Sequence, residues 1–348
     1  MSGVEPVRWG ILGAADIAIK KVIPAMQVSR LSVPFAIASR DLAKAQAAAE
    51  ALGIHRAYGS YEELLADADV EAVYNPLPNH LHVPWSIRAA TAGKHVLCEK
   101  PIALSAEEAR SLLVARDDSG VQVAEAFMVR THPQWLEVKR LLDRGTIGTL
   151  RLVAGHFSYY RRDPADIRSN PDWGGGALMD IGCYPIFIAR WMFGAEPTDV
   201  VAMIDRDPDL GIDAVTSALL RFPSGQATFT CAGQLVPFQR IQLFGDRGRI
   251  DVEIPFNAPP DRACRIFVDD GSRLGGASAV PVEVPAADQY TLQADAFSGA
   301  VRGIGSVPVS LETAVANMTV IDALFRSAEL RAWQTIAPTR ASRWEEAK

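Results

Sequence analysis

Along the first third of the chain, apolar residues gather in short runs at 7–12, 33–38, 70–75, 95–98 and 121–126, with few polar residues among them. Runs without polar alternation belong to strands buried on both faces, and the helical patterns between them supply the covers of a parallel sheet. The spacing predicts helices over 17–28 and over the Ala-rich stretch 42–52, whose composition favours helix. Ser60 with Glu63 and Ser105 with Glu108 match the capping box, in which a hydroxyl and a carboxylate satisfy the free amides of a helix start.

Beyond residue 130 the pattern changes. A helical segment, 133–144, leads through Gly145 and Gly148 into apolar runs at 150–157, 200–204, 214–222, 226–231 and 241–244, with turn residues between them. Successive strands with short connections and few helices predict a mainly antiparallel sheet. A long helical stretch follows at 311–328.

The 348 residues are 49% hydrophobic and 22% charged, the balance of a globular protein with room for two cores. A formal charge of -6 provides no basic field for nucleic acid or an anionic membrane, so a small polar ligand is the expected partner. The longest uncharged stretch, 222–239, carries Pro, Gly, Ser, Thr and Gln, whose polar atoms do not suit lipid. No basic patch with an apolar run behind it opens the chain, which predicts a cytoplasmic protein. Cys98, Cys183, Cys231 and Cys264 are far apart and lack metal-ligand spacing; they are expected as reduced, buried thiols, with no metal bound.

The first candidate for chemistry is Gly10-Ile-Leu-Gly13-Ala-Ala15, followed by Asp16 and Ile17, where the first strand turns into the first helix. Glycine admits a tight turn and close approach of backbone to a pyrophosphate, which the helix N-terminus attracts. The predicted fold is therefore α/β: an N-terminal Rossmann dinucleotide-binding domain over 1–130 and a C-terminal α+β domain over 131–348 with a large sheet. Where a carboxylate would meet the ribose hydroxyls of NAD, this chain has Ser39 and Arg40, with Lys44 a turn further on. Hydroxyl and cationic donors suit a 2′-phosphate, so the expected coenzyme is NADP. The alternative is that Arg40 is a solvated charge and Asp41 caps the next helix, which leaves NAD open. Leu77, Asn79 and His82 follow the strand at 70–75, and Glu99-Lys100-Pro101 follows the strand at 95–98; both sets fall where doubly wound sheets bind ligands.

Pro78-Asn79-x-x-His82, Glu99-Lys100-Pro101 and the glycine turn, with Trp173-Gly-Gly-Gly-Ala-Leu-Met-Asp180-Ile-Gly182-Cys-Tyr184 further on, resemble the glucose–fructose oxidoreductase / inositol dehydrogenase / MocA family of nicotinamide-dependent oxidoreductases. The likeness covers nearly the whole chain. It departs from the family pattern at Tyr184, where histidine is commonest, and there it is similar to the branch that holds NADP-dependent xylose dehydrogenases, dimeric dihydrodiol dehydrogenase and glucose–fructose oxidoreductase.

Asp180 and Tyr184 stand four apart, so on a helix they share a face. Oxidation of an alcohol needs a base at the hydroxyl while hydride leaves the carbon, and a phenol needs a neighbouring cation to serve near neutrality. The expected roles are Tyr184 as proton carrier, Lys100 as the cation that favours phenolate and bonds substrate, and Asp180 as a guide for a substrate hydroxyl. Lys100 and Tyr184 can exchange roles. Tyr160, Arg162 and Trp173 are expected to line a sugar site, and the resemblance places Arg130 near the nicotinamide. It implies oxidation of a sugar or small polyol, foremost at C1 of an aldose, in a dimer or tetramer assembled through the C-terminal sheet. The alternatives are a trans-dihydrodiol dehydrogenase, a keto- or anhydro-sugar reductase, and a non-catalytic NADP sensor.

Overall fold

The computed structural model describes residues 4–337. The described residues divide into two compact units, one running to Thr131 and taking in Asp288–Val315, the other built from His132–Ala287 and the described chain after Val315.

The first unit holds six parallel strands: β1 (Val7–Leu12), β2 (Ser32–Ala38), β3 (Arg56–Tyr58), β4 (Ala72–Asn75), β5 (His95–Glu99) and β6 (Val123–Ala126). Their order is β3-β2-β1-β4-β5-β6, the doubly wound arrangement whose order reverses beside β1. Val7, Trp9, Ile11 and Leu12 are fully buried, which explains why apolar residues dominate that run. The helices are α1 (Ile23–Gln27), α2 (Leu42–Leu52), α3 (Tyr61–Ala66), α4 (His82–Thr91) and α5 (Ala106–Ser119). Both capping serines accept from the amide three residues on. Their glutamates reach one residue further back than the motif anticipates, Glu63 to the amide of Gly59 and Glu108 to that of Leu104.

The predicted first helix is widened into a π turn over Ala18–Val22 before α1. Pro24 explains the change, since it has no N–H for the carbonyl four residues earlier and its ring crowds that turn.

In the second unit, α6 (Pro133–Asp143) leads into a nine-stranded sheet of β7 (Leu150–Tyr160), β8 (Asp199–Arg206), β9 (Asp213–Phe222), β10 (Gly225–Ala232), β11 (Gln234–Gly245), β12 (Arg249–Val252), β13 (Cys264–Asp269), β14 (Val280–Val284) and β15 (Gln334–Thr335). The order is β14-β13-β12-β11-β7-β10-β9-β8-β15, antiparallel except for the β7–β10 pair. One face buries Val153, Phe157, Leu220, Phe229, Cys231, Ile241 and Ile250 beneath a π turn over Leu178–Gly182 that continues into α7 (Cys183–Phe193). A proline again follows the π turn, Pro185. On the opposite face Met203 and Leu219 stand exposed beside Ser217, Thr228, Thr230 and Arg240.

The described residues divide otherwise than the single run 131–348 expected for the second domain. Asp288–Val315 belongs to the first unit and contains α8 (Gln289–Val301) and the start of α9 (Leu311–Leu330). The Trp9 indole donates to Ser298 Oγ at 3.1 Å, Phe297 packs on that indole, and Arg302 pairs with Glu71 at 2.8 Å. α8 escaped the sequence pattern because its buried positions include Gln289, Gln293, Ser298 and Gly299, too polar or too small to draw an apolar stripe. All four cysteines are buried free thiols, and among the described residues no helix is long and apolar enough to cross a membrane.

Candidate active site

In the first unit, β1, β2, β4, β5 and β6 deliver their carboxyl ends to one edge of the sheet, and the predicted residues follow those ends. Gly13 has φ +93°, and a Cβ there would lie 3.0 Å from the Leu77 side chain; at Gly10 it would lie 2.6 Å from Leu64. Only glycine fits both places. Ala15 precedes the helix, which Asp16 and Ile17 begin. Asp41 caps α2 by accepting from the amides of Ala43 and Lys44, at 3.0 and 3.4 Å. The carboxylate beside Arg40 is thus spent on a helix start, while Arg40 stays exposed and Ser39 is buried. Arg40 bears on the hydroxyl of Tyr61, which burial otherwise pushes above its ordinary value. The Lys44 side chain is exposed on α2.

These residues fit a dinucleotide: a left-handed glycine turn, the helix start that follows it, and an arginine at the end of β2. NADP would be held by the 10–17 turn, by Ser39 and Arg40, and by the segment from Leu77 to His82.

His82 is placed differently from the rest. It is 1% exposed, with Nδ1 at 2.8 Å from the Pro101 carbonyl and Nε2 at 2.7 Å from that of Leu77. Burial outweighs the pull of both carbonyls and lowers the ring to about 4. Both ring nitrogens face backbone carbonyls, to one of which the neutral ring donates its single N–H, so His82 offers no ring nitrogen to a coenzyme. Asn79 lies partly exposed at the start of the same turn, and Arg130 is likewise partly exposed after β6.

At the end of β5, the Tyr74 hydroxyl donates to Glu99 Oε1 at 2.5 Å, and the Lys100 amide donates to Glu99 Oε2 at 3.3 Å. Burial and then the charge of Glu99 raise Tyr74 well above the ordinary phenol value. Tyr290, from α8, is pushed up to about 12 by burial and Glu99, while Lys100 pulls it down. Sequence reasoning missed both tyrosines; Tyr74 reads as one more buried ring in a largely apolar strand, and Tyr290 is remote in the chain.

In the second unit, Asp180 and Tyr184 sit on the π turn and the first turn of α7. An α-helix leaves residues four apart about 40° out of line, and a wider turn reduces that offset. The Tyr184 ring is 5% exposed and packs on Phe157 and Phe256, at centroid distances of 6.0 and 5.1 Å. Asp180 Oδ2 accepts from the Tyr159 hydroxyl at 2.6 Å and Arg168 Nε at 3.0 Å. The glycine triplet makes this possible: a Cβ on Gly175 would meet the Arg168 carbonyl at 2.5 Å, and the Gly176 amide donates to that same oxygen.

Of the three residues expected to line a sugar site, Tyr160 and Trp173 are exposed, at 66% and 40%. Arg162 is engaged elsewhere in its unit, with Nε at 2.7 Å from Asp207 Oδ2 and a second bond to Asp209. Its fork is filled by the loop after β8, which nothing in the local sequence signals. Tyr159 and Arg168, neighbours of the expected set, are the ones directed at Asp180.

The chain matches an oxidoreductase family with an NAD-binding Rossmann fold over residues 7–127 and the GFO/IDH/MocA C-terminal domain over 135–251. The protein belongs to the GFO/IDH/MocA oxidoreductases. Within that family it is 50% identical to the Rhizobium meliloti oxidoreductase ORF334 over 96% of this chain and all of the relative. It is 40% identical to a D-xylose 1-dehydrogenase (NADP(+)) of Haloferax volcanii, over 93% of this chain and 98% of the relative. The structure of KijD10, a 3-ketoreductase of Actinomadura kijaniata in complex with NADP and TDP-benzene, superposes with a TM-score of 0.86 at 32% identity, covering 93% of this chain and 98% of that one. This GFO/IDH/MocA member thus carries the family's glycine turn and Glu-Lys-Pro motif with tyrosine at position 184.

Proposed function

We propose that the protein is an NADP-dependent dehydrogenase that oxidises a CH–OH carbon of a sugar or small polyol, with C1 of an aldose such as xylose or glucose as the reacting carbon and a lactone as product. The observation that carries this reading is the shared helix face of Asp180 and Tyr184, with Asp180 held by Tyr159 and Arg168. The 40% identity to a xylose dehydrogenase supports the substrate class, and the freedom of Arg40 from Asp41 supports NADP over NAD.

When bound, NADP supplies the ring carbon that accepts or returns a hydride. The protein's own part is to place the carbinol and move its proton. Tyr184 takes the hydroxyl proton, and its apolar walls, Phe157 and Phe256, keep water from its ring. Lys100 supplies the positive charge that a phenolate requires and bonds the substrate oxygen. Asp180, ionised beside Arg168, accepts from a neighbouring substrate hydroxyl.

We place the enzyme in the cytoplasm, where free thiols such as its four buried cysteines persist. A second copy of the chain is the proposed cover for the open face of the nine-stranded sheet, where Met203 and Leu219 are exposed. The likeness to KijD10 favours a second reading, reduction of a keto sugar by NADPH.

A panel of aldoses, polyols, aromatic diols and keto sugars, assayed with NADP and NAD separately by absorbance of the reduced nicotinamide, decides among these. Xylose or glucose oxidation with NADP is the expected result. Binding of NADP without hydride transfer to any compound would overturn the enzymatic reading.

A further inference from the structure

Asp213 opens β9 and is 2% exposed. Its Oδ2 accepts from the Leu178 amide at 2.6 Å and the Thr216 hydroxyl at 3.1 Å. Leu178 begins the π turn that carries Asp180 and runs on to Tyr184. A carboxylate from a distant strand therefore satisfies an amide that helix geometry leaves open, and its charge suits the positive end of the helix. Gly176, at φ +108°, admits that carboxylate, because a Cβ there would collide with Asp213 Oδ1. Beside it lies a cavity of about 10 Å³ whose walls include Asp213, Arg168, Tyr159 and Gln234. That volume is at the lower limit for one water. Two of those walls, Tyr159 and Arg168, are the groups that hold Asp180.

We propose that Asp213 is a positioning residue whose carboxylate clamps the start of the helix bearing Asp180 and Tyr184 onto β9, and that its protonation loosens the clamp. The inference rests on the reading of those two residues as catalytic.

Burial pushes Asp213 up to about 6, against the opposing effect of its hydrogen bonds and of Arg206. Cys231 on β10 feels its charge, Asp180 and Cys183 on the helix act on that same thiol, and Arg168 and Tyr159 lie across the cavity. With a folded value near 6 and an ordinary value of 3.8, the folded chain holds this proton longer than the unfolded chain, so stability falls as pH rises from 3.8 to 6. Protonation relieves the fold of a buried charge, yet it also takes the charge from the bond to the Leu178 amide, and the clamp depends on that local bond.

Asp213→Asn tests this, since asparagine keeps a neutral acceptor and cannot ionise. The readouts are kcat from pH 5 to 8, with NADP and an aldose that the wild-type enzyme oxidises, and hydrogen exchange of peptides covering residues 176–186, corrected for intrinsic rate. In the wild type, kcat should fall below about pH 6, and the helix start should exchange about tenfold faster at pH 5 than at 7.5, the scale separating charged from neutral hydrogen bonds. D213N should show a flat profile about tenfold below the wild-type plateau, pH-independent exchange, and a melting temperature at pH 7.5 no lower than wild type. An acid limb and plateau like the wild type would overturn the inference. So would a parallel loss of melting temperature and rate with the wild-type profile retained, which marks a structural role alone.

Should D213N fail to fold, Thr216→Val removes one donor to the ionised form and should move the acid limb to higher pH; an unmoved limb overturns the inference. Tyr184→Phe separates the two possible failures. An inactive Y184F beside an unaffected D213N sinks the clamp alone, whereas a fully active Y184F sinks the reading of the helix.

Discussion

The hydroxyl of Tyr74 donates to Glu99 at 2.5 Å from the neighbouring strand, and the same carboxylate receives the amide of Lys100. Tyr74 is fully buried, so Tyr74→Phe removes a donor to a charged group where water cannot replace it. Urea unfolding should show a loss of about 2 kcal/mol. Because Glu99 bonds the backbone of Lys100, kcat should also fall several-fold while NADP affinity changes little. An unchanged unfolding midpoint would contradict this account.

Arg40 and Asp41 are adjacent and do separate work. Arg40→Ala should lower kcat/KM for NADP by about 10- to 100-fold, the worth of charge-assisted hydrogen bonds to a phosphate, and alter that for NAD less than threefold. Asp41→Ala removes the cap of α2 and should cost about 1 kcal/mol of stability without shifting coenzyme preference. Preference that follows Asp41 instead of Arg40 would reverse the assignment.

His82 makes an acid-side prediction. Its ring is neutral in the fold, with a value lowered from 6.5 to about 4. The unfolded chain takes up the proton first, so the stability this ring contributes is present above pH 6.5 and is lost as pH falls toward 4. The loss is about 1.4 kcal/mol per pH unit at most. Stability curves from denaturant titrations at successive pH values should be flatter over that window in His82→Asn, and an identical slope would refute the point.

Met203 and Leu219 are exposed on the open sheet face at 66% and 40%. If a second copy covers them, Met203→Glu with Leu219→Glu should shift sedimentation of the protein to the monomer. A monomeric wild type would remove the basis for that face as an interface.

Much of the first unit was legible because parallel strands are buried on both sides and announce themselves as apolar runs. The glycine turn and the Glu99-Lys100-Pro101 corner were legible for a related reason, since each sits where a strand must end. What stayed hidden depends on pairings across the chain. Nothing beside Arg162 reveals that Asp207 and Asp209 occupy it, and nothing beside Leu178 reveals Asp213. His82 reads as a ligand in a motif, yet its ring nitrogens face the carbonyls of Leu77 and Pro101. α8 was missed because glutamine, serine, alanine and glycine fill most of its buried positions.

The return of Asp288–Val315 to the first unit has a consequence for biosynthesis. When the ribosome has made only the six parallel strands, Trp9 has neither Ser298 for its indole nor Phe297 for its ring, and Glu71 lacks Arg302. The nucleotide-binding half is the first to be translated and among the last to be finished. A fragment ended at residue 131 would leave that indole bare, so a stable excised version must carry the later segment as a graft.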